Sequence, residues 1–333
     1  MRPLFHPQLV NDPFGDPALY VDCLFEGRAL LFDLGDLRAL PPRKLLRVSH
    51  VFVSHAHMDH FMGFDWLLRI CLGRDRAMHL FGPPGFLDQV GHKLAAYTWN
   101  LVHNYQTDFT LHVTEIEPGN VARRARFRCR NAFRREDEAI LPATDVLVEE
   151  PLFRVRCTLL DHRTPCLAFA LEERAHVNVW KNRLVETGLA PGPWLRTAKQ
   201  ALLQGKPDET PIEALTREGT LRPVTLGALR GDVLRVVPGQ KIAYVTDAVY
   251  HEANARRIVE LARGADLLFI ESPFLDELAD RAREKCHLTA RQAGRLARAA
   301  GVAQVVSFHY SPIYRGQEER LRGELDEAFR TGA

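Results

Sequence analysis

The sequence lacks the features that mark several broad classes of protein. Its six cysteines are scattered with no Cys-x-x-Cys pair, which argues against a disulfide framework and a thiolate zinc site and fits a reducing compartment. No stretch approaches the ~18 uninterrupted apolar residues of a membrane-spanning helix. The first residues, MRPLFHPQLV, have no basic-then-apolar signal layout. We therefore expect a cytoplasmic protein with no membrane partner.

A strong excess of one charge is also missing. The chain has 44 Lys and Arg against 42 Asp and Glu, so its formal net charge is only +2. The protein as a whole therefore lacks the excess of positive charge that would indicate a nucleic-acid partner. The hydrophobic share of 46% is typical of a globular chain, and 333 residues allow two domains or one large α/β unit.

The apolar pattern predicts strands first and then a mixture of strands and helices. Two apolar runs that turn at Glu26-Gly27 indicate a hairpin, and short apolar runs further along indicate buried strands. From residue 241 onward, strand and helix patterns alternate, which is typical of α/β folds. A polar interval rich in Pro and Gly separates these parts, from about Arg174 to Gly239.

Residues that can bind a metal follow four of the predicted strands. VFVS runs into His55, VRCTLLD into His162, KIAYVT into Asp247 and AQVVSF into His309. A lone histidine after a strand is more often structural than a ligand. In α/β folds, however, loops at the carboxyl ends of strands converge on the active site, so four such residues favour a metal centre.

The loop after the first of these strands, SHAHMDH, is rich in metal ligands. His55 and His57 are two apart in extended chain, so both can point the same way and share an ion. Asp59 and His60 lie where the chain turns into a helix and can face a neighbouring ion. Nitrogen-rich ligation suits zinc, with manganese or iron as alternatives, and two ions roughly 3.5–4 Å apart indicate hydrolysis.

The run His55-Ala-His57-Met-Asp59-His60, followed by His162, Asp247 and His309, resembles the metallo-β-lactamase superfamily. The resemblance implies a four-layer αβ/βα sandwich, with one domain over residues 1–333 whose two halves share a dinuclear site. The implied ligands are His55, His57 and His162 for one ion, Asp59, His60 and His309 for the other, and Asp247 as the bridge. Asp59 would also orient or deprotonate the nucleophilic water.

Within the superfamily the chain is most similar to the ribonuclease Z family. The segments that carry this resemblance are LLFDLGD, ETGLAPGPW, CHLTARQAGRLARAAG and VVSFHYSPIY. In the first, Asp33 and Asp36 would brace the histidine loop. Glu271 and His287 match a Glu–His pair of that family, in which the carboxylate holds the imidazole. The imidazole would donate a proton to the leaving oxygen or contact the phosphate.

The resemblance implies an endonuclease that trims the 3′ end of precursor tRNA. It also implies a homodimer, in which an arm within about residues 174–239 reaches tRNA held by the partner subunit. The chain departs from the family at Thr246-Asp247-Ala248, where Gly-Asp-Thr is usual, and near Tyr314, where an arginine is absent unless Arg315 replaces it. None of these departures removes a metal ligand.

Two alternatives remain open from the sequence. One is a hydrolase of a small-molecule phosphodiester, thioester or other ester, in which residues 174–239 form a lid instead of an arm. The other is a non-catalytic metal-binding or RNA-binding protein. A lid folded over the metals would favour the small substrate, and a projecting basic arm would favour precursor tRNA or another RNA.

Arginines alternate with apolar residues in the segment Arg123–Arg135. As a strand, this segment would place Arg126, Arg128 and Arg130 in a row that could lie along an RNA backbone. The same pattern also fits a solvated strand face, or an interface whose charge is partly neutralised by the neighbouring Glu-Asp-Glu.

Overall fold

The computed structural model describes residues 4–24, 26–119, 121–142, 144–174 and 176–332. The strands are β1 (Phe5–Leu9), β2 (Leu19–Cys23), β3 (Arg28–Phe32), β4 (Val48–Phe52), β5 (Ala77–Gly82), β6 (Thr110–Glu117), β7 (Val121–Arg128), β8 (Arg135–Asp137), β9 (Leu141–Pro142), β10 (Val146–Glu149), β11 (Phe153–Asp161), β12 (Pro165–Glu173), β13 (His176–Val179), β14 (Pro211–Leu215), β15 (Leu221–Thr225), β16 (Leu234–Val237), β17 (Lys241–Val245), β18 (Leu267–Glu271) and β19 (Gln304–Phe308).

The helices are α1 (Pro42–Leu45), α2 (Met58–Phe61), α3 (Phe64–Cys71), α4 (Phe86–Ala95), α5 (Lys181–Glu186), α6 (Trp194–Leu203), α7 (Leu226–Asp232), α8 (Glu252–Ala262), α9 (Ala279–Glu284), α10 (Ala290–Ala300) and α11 (Glu318–Thr331). Within the described part of the chain, no helix has both the length and the apolar character needed to cross a membrane.

The first sheet has the strand order β1-β2-β3-β4-β5-β6-β7-β8, with β9 also paired to β7. The predicted hairpin is confirmed, since β2 and β3 are antiparallel and Gly27 adopts a left-handed φ of 66° between them. Strands β3 to β6 are parallel neighbours. Their carboxyl ends therefore share one edge of the sheet, and the loop that begins with His55 follows β4 at that edge.

The second sheet has the order β10-β11-β12-β17-β18-β19. Strands β17, β18 and β19 run parallel, as the alternation of strand and helix patterns predicts. Asp247 follows β17, Glu271 ends β18 and His309 follows β19. The three side chains therefore leave the sheet at the same edge.

Aromatic residues join the two sheets. The ring of Phe32 in the first sheet lies 5.7 Å from that of Phe169 and 5.9 Å from that of Tyr244, both in the second sheet. On the outer face of each sheet, helices bury a separate apolar core, as with Phe64 of α3 and Leu296 of α10. Helices thus cover both outer faces, and the predicted four-layer αβ/βα sandwich is confirmed.

The chain divides into two compact units. The larger one contains Phe5–Leu147, Val155–Leu171 and Lys241–Ala333, and it includes every predicted site residue. The smaller one is built mainly from Val148–Arg154 and Glu172–Gln240. It has its own apolar core, around Trp194 and other buried residues of α6, α7, β13, β14 and β16.

The predicted insertion at about 174–239 falls within the smaller unit, apart from Ala175, which lies outside the described residues. Although the interval is polar and rich in Pro and Gly, its apolar residues are enough to form a folded core. Its role as an arm or a lid stays a prediction.

Candidate metal centre

The predicted ligands meet at the carboxyl ends of the strands that precede them. One cluster contains His55, His57, His162 and Asp247, whose ligating atoms all lie within 4.8 Å of one another. A second cluster, defined by the same distance, contains Asp59, His60 and His309. The same distance also defines a third group, which contains Asp247, Glu271, His287 and His309. The first two groups contain the residues that the family resemblance assigns to the two ions.

The Asp247 carboxylate lies between the two clusters. Its Oδ2 atom is 3.3 Å from His162 Nε2 and 3.7 Å from His55 Nε2, in the first cluster. Its Oδ1 atom is 3.0 Å from His309 Nδ1 and 3.5 Å from His60 Nε2, in the second. Each oxygen therefore faces a different cluster, which is the arrangement that a bridging ligand needs.

Two buried imidazole nitrogens point to a metal. Among the described residues, His55 Nε2 and His60 Nε2 are buried without a hydrogen-bond partner. A buried polar atom left in this way is costly, and a divalent ion would satisfy it. The opposite nitrogens are engaged, since His60 Nδ1 lies 2.9 Å from Asp33 and His55 Nδ1 lies 3.0 Å from the Ser54 hydroxyl.

His162 follows the same pattern in the first cluster. Its Nδ1 atom lies 2.8 Å from the backbone oxygen of Cys286, and since a carbonyl only accepts, Nδ1 carries the proton. The other ring nitrogen, Nε2, faces Asp247. An imidazole held through its outer nitrogen is typical of metal ligands, so the donor set fits a divalent metal centre.

The electrostatics of the centre favour the ligating forms of His55 and Asp247. Burial, together with the nearby His60, lowers the pKa of His55 to about 2, so that its imidazole is neutral. Burial alone would raise the pKa of Asp247. The imidazoles of His309 and His60 outweigh that effect and hold it well below its usual range. A neutral imidazole and an ionised carboxylate are the forms that bind metal. At His60 and His309, burial acts to lower the pKa but the Asp247 charge outweighs it and raises the pKa, so metal binding there would release protons.

Asp33 braces the histidine loop, as predicted. It adopts a left-handed φ of 58°, and its carboxylate accepts hydrogen bonds from the Ser54 amide at 2.6 Å and the Ser54 hydroxyl at 2.9 Å. The Tyr244 hydroxyl donates to the same carboxylate at 2.9 Å. The Nδ1 atom of His60 also lies 2.9 Å from this carboxylate. Ser54 and Tyr244 are site residues that the sequence reasoning missed, although a tyrosine in an apolar strand gives a weak signal.

The corresponding prediction for Asp36 is wrong. Its carboxylate forms a bidentate pair with Arg38, with a shortest distance of 2.7 Å, and does not contact the histidine loop. Arg38 lies only two residues further along, so its guanidinium competes for the carboxylate locally. The spacing of the FDLGD motif gave no indication of that competition.

Glu271 and His287 form the predicted pair. His287 Nδ1 lies 2.7 Å from Glu271 Oε2 and 3.9 Å from Asp247 Oδ2. The other oxygen of Glu271 accepts hydrogen bonds from the amides of Ala248 and Leu288, at 2.9 and 3.2 Å. Burial acts to lower the pKa of His287, but the Glu271 charge outweighs it and raises that pKa. The imidazole is therefore poised to hold a proton beside the centre.

Arg126 and Arg128 of the predicted arginine row lie on β7, and their charge is partly neutralised. The prediction is wrong for Arg130, because β7 ends at Arg128 and residues Cys129–Asn131 form a 3-10 turn. Arg126 and Arg128 both bind the Glu136 carboxylate of β8, with shortest distances of 2.7 and 3.0 Å. Asn131 also donates to Glu136, at 2.9 Å. The neutralised strand face that the sequence allowed is thus present, and contact with RNA stays a prediction.

Comparisons with known proteins agree with this geometry. A family model described as "Beta-lactamase superfamily domain" matches residues 18–177 and 204–310. A "Ribonuclease Z" of Deinococcus radiodurans is 35% identical over 318 residues, which cover 94% of this chain and 92% of that protein. Two crystal structures share the fold. They are human tRNase Z, short form (19% identity, TM-score 0.53, 93% of each chain), and the metallo-beta-lactamase fold protein YhfI of Bacillus subtilis (15%, 0.54, 98% of this chain and 94% of that one).

Proposed function

Because the chain belongs to the β-lactamase superfamily and, within it, to the ribonuclease Z family, we propose that it is an endonuclease acting on the 3′ end of precursor tRNA. The reaction is hydrolysis of a phosphodiester at a centre of two divalent metal ions, which we infer to be zinc. The name of the 35% identical relative supports the substrate, and the nitrogen-rich donor set supports the metal.

The ligand assignment is part of this proposal. His55, His57 and His162 would hold one ion, Asp59, His60 and His309 the other, and Asp247 would bridge them. When bound, such a pair of ions supplies Lewis-acid polarisation of the phosphodiester and a nucleophile near neutral pH. The observation that carries the assignment is that the two Asp247 oxygens face two separate clusters.

Two side chains would handle protons. Asp59 is partly exposed, and its Oδ2 lies 3.2 Å from His309 Nε2, so one carboxylate can hold the second cluster and accept a proton from the attacking water. His287 lies on the other side of Asp247 and is held by Glu271. Its raised pKa suits a group that donates a proton to the leaving oxygen.

The test is an assay of zinc-loaded protein on a 3′-extended precursor tRNA, run beside the small ester bis-p-nitrophenyl phosphate. We expect cleavage of both substrates, with cleavage of the tRNA at the 3′ end of the mature molecule. If only the small ester is hydrolysed, the proposal is wrong and a small-molecule hydrolase takes its place. If neither is hydrolysed by protein with two bound ions, the protein is a non-catalytic binder.

A homodimer belongs to the same proposal, and its support is the family resemblance. Sedimentation equilibrium of the metal-loaded protein measures it directly. We expect twice the monomer mass of 37.8 kDa. A monomer that still cleaves precursor tRNA would show that one subunit suffices for the reaction.

A further inference from the structure

Three large apolar side chains are exposed next to the metal centre. Met58, Met62 and Trp66 are 81%, 41% and 38% exposed and lie four residues apart. The Met62 amide donates to the Met58 carbonyl, so these two side chains lie one helical turn apart on the same face, and Met62 and Trp66 line the same cavity. A single exposed apolar residue is ordinary, but a contiguous row of large ones marks a binding surface.

The backbone holds this row firmly against the ligand loop. Met58 lies between two predicted ligands in the chain, and Met62 follows His60 by two residues. The amide of Gly63 donates to the Leu34 carbonyl at 2.7 Å. A Cβ at Gly63 would lie 2.2 Å from the Gly35 carbonyl oxygen, so the two backbones are in close contact. The row is therefore fixed relative to the loop that Asp33 braces.

A cavity of about 330 Å³ opens beside the row. It is lined by Asp36, Leu37, Arg38, Met62, Gly63, Asp65 and Trp66. Its lining combines the apolar side chains of Leu37, Met62 and Trp66 with the polar ones of Asp36, Arg38 and Asp65, which is the usual character of a small-ligand pocket.

The charged side chains that line the cavity form ion pairs. Arg38 Nη2 lies 2.7 Å from the Asp36 carboxylate, and Lys93 Nζ lies 2.6 Å from the Asp65 carboxylate. An anion such as phosphate would have to compete with these carboxylates for each cation. A flat neutral ring with polar edges would not, since it can stack on Trp66 while its edge meets the donors of Arg38 and the acceptors of Asp36.

We propose that this cavity is a nucleobase pocket, which takes one unpaired base of the RNA strand adjacent to the scissile phosphodiester. The inference rests on the proposed function. The row of Met58, Met62 and Trp66 starts inside the ligand loop, so an RNA strand bound at the metal centre would lie beside this row. Trp66 and Met62 stack on the base, and the Arg38–Asp36 pair contacts its edge. Stacking on an aromatic side chain tolerates any base and changes affinity by roughly 5–100-fold on alanine replacement.

The first test measures binding without turnover. A labelled six-nucleotide unpaired RNA is titrated into Asp59→Ala protein with and without Trp66→Ala, and anisotropy gives the Kd. We expect the Kd to rise roughly 5–100-fold with Trp66→Ala, and much less with Trp66→Phe, which keeps an aromatic face. Ile140→Ala, which removes another exposed apolar side chain, is the matched control and should leave the Kd unchanged.

The second test measures the fluorescence of Trp66. Binding of the six-nucleotide RNA should quench tryptophan fluorescence in the Asp59→Ala protein, and the quenching should be lost in Asp59→Ala/Trp66→Phe. An unchanged Kd with Trp66→Ala, or an equal loss with Ile140→Ala, would overturn the pocket. That outcome is distinct from failure of the proposed function, which is judged by cleavage of precursor tRNA by the wild-type protein.

Discussion

His287 Nδ1 lies 2.7 Å from the Oε2 atom of Glu271, whose side chain is fully buried. The second oxygen of Glu271 is occupied by two backbone amides, so the carboxylate cannot turn away. The imidazole is held through one nitrogen, and its other nitrogen is free to face a substrate. A buried carboxylate thus orients a histidine at the edge of the candidate centre without being one of its proposed ligands.

Replacing His287 by Ala should slow cleavage of precursor tRNA by ~10²–10⁴-fold, the usual contribution of a general acid. Both metals should remain, because His287 is outside the proposed ligand set. Single-turnover kinetics and metal analysis of the same preparation measure the two effects. His103→Ala, at an exposed histidine, is the control. An unchanged rate at equal metal content would show that His287 has no catalytic role.

Replacing Asp59 by Ala should abolish turnover on both substrates. The change removes a proposed ligand and also the group proposed to accept the proton of the attacking water. Metal content should fall toward one ion per chain, since the other cluster keeps its donors. Glu252→Ala removes an exposed carboxylate elsewhere and should retain full activity. Wild-type rates with Asp59→Ala would contradict the ligand assignment.

Replacing Asp33 by Ala should weaken both the fold and the metal centre. It leaves the Ser54 and Tyr244 donors buried without an acceptor, each at a cost of ~1–3 kcal/mol in the free energy of unfolding. Metal affinity should fall ~10–100-fold, as for other residues that orient a ligand. Urea unfolding and competition with a chelator measure these effects. Tyr244→Phe removes one donor only, so its effect on both should be clearly smaller.

Two of the three lysines of the smaller unit, Lys199 and Lys206, should differ in their effect on tRNA binding. Lys206 is exposed, whereas Lys199 is half-buried and burial lowers its pKa. Lys206→Ala should weaken binding and reduce the slope of log K against log salt by ~0.7–0.9, the value of one phosphate contact. Lys199→Ala should change that slope less. Equal slopes for wild type and Lys206→Ala would show that Lys206 does not contact the RNA.

Glu136 should stabilise the protein in a pH-dependent way. Hydrogen bonds from Arg126, and then from Asn131 and Arg128, lower the pKa of Glu136 to about 2, against an ordinary value of 4.5. A folded-state pKa below the unfolded one means that the contribution is complete above pH 4.5 and disappears as the pH falls toward 2. Glu136→Gln should therefore unfold at lower urea than wild type at pH 7, with the difference shrinking by pH 3. A difference that is constant with pH would show that the charge of Glu136 is not involved.

The sequence alone indicated an α/β fold and a candidate set of metal-binding side chains, and the four-layer sandwich followed from the family resemblance that these residues carry. These features depend on local patterns, such as the His55–His60 loop and the strand-terminal positions of His162 and His309. Helix ends are equally local, as in α10, where Thr289 and Gln292 form a capping box and Gly301 takes a left-handed φ of 64°. Periodicity and capping act over a few residues, so the sequence displays them directly.

Tertiary structure decided which side chains support that set. The Tyr244 hydroxyl reaches Asp33 across 211 residues, and no spacing rule predicts that contact. Asp36 stands three residues after Asp33 in the same motif, yet it pairs with Arg38. The cavity beside Trp66 arises where the loop after β3 meets the start of α3. The smaller unit has an apolar core that its polar composition did not indicate. Side-chain direction and long-range packing fix these contacts, because they depend on how distant segments meet in space and not on their order along the chain.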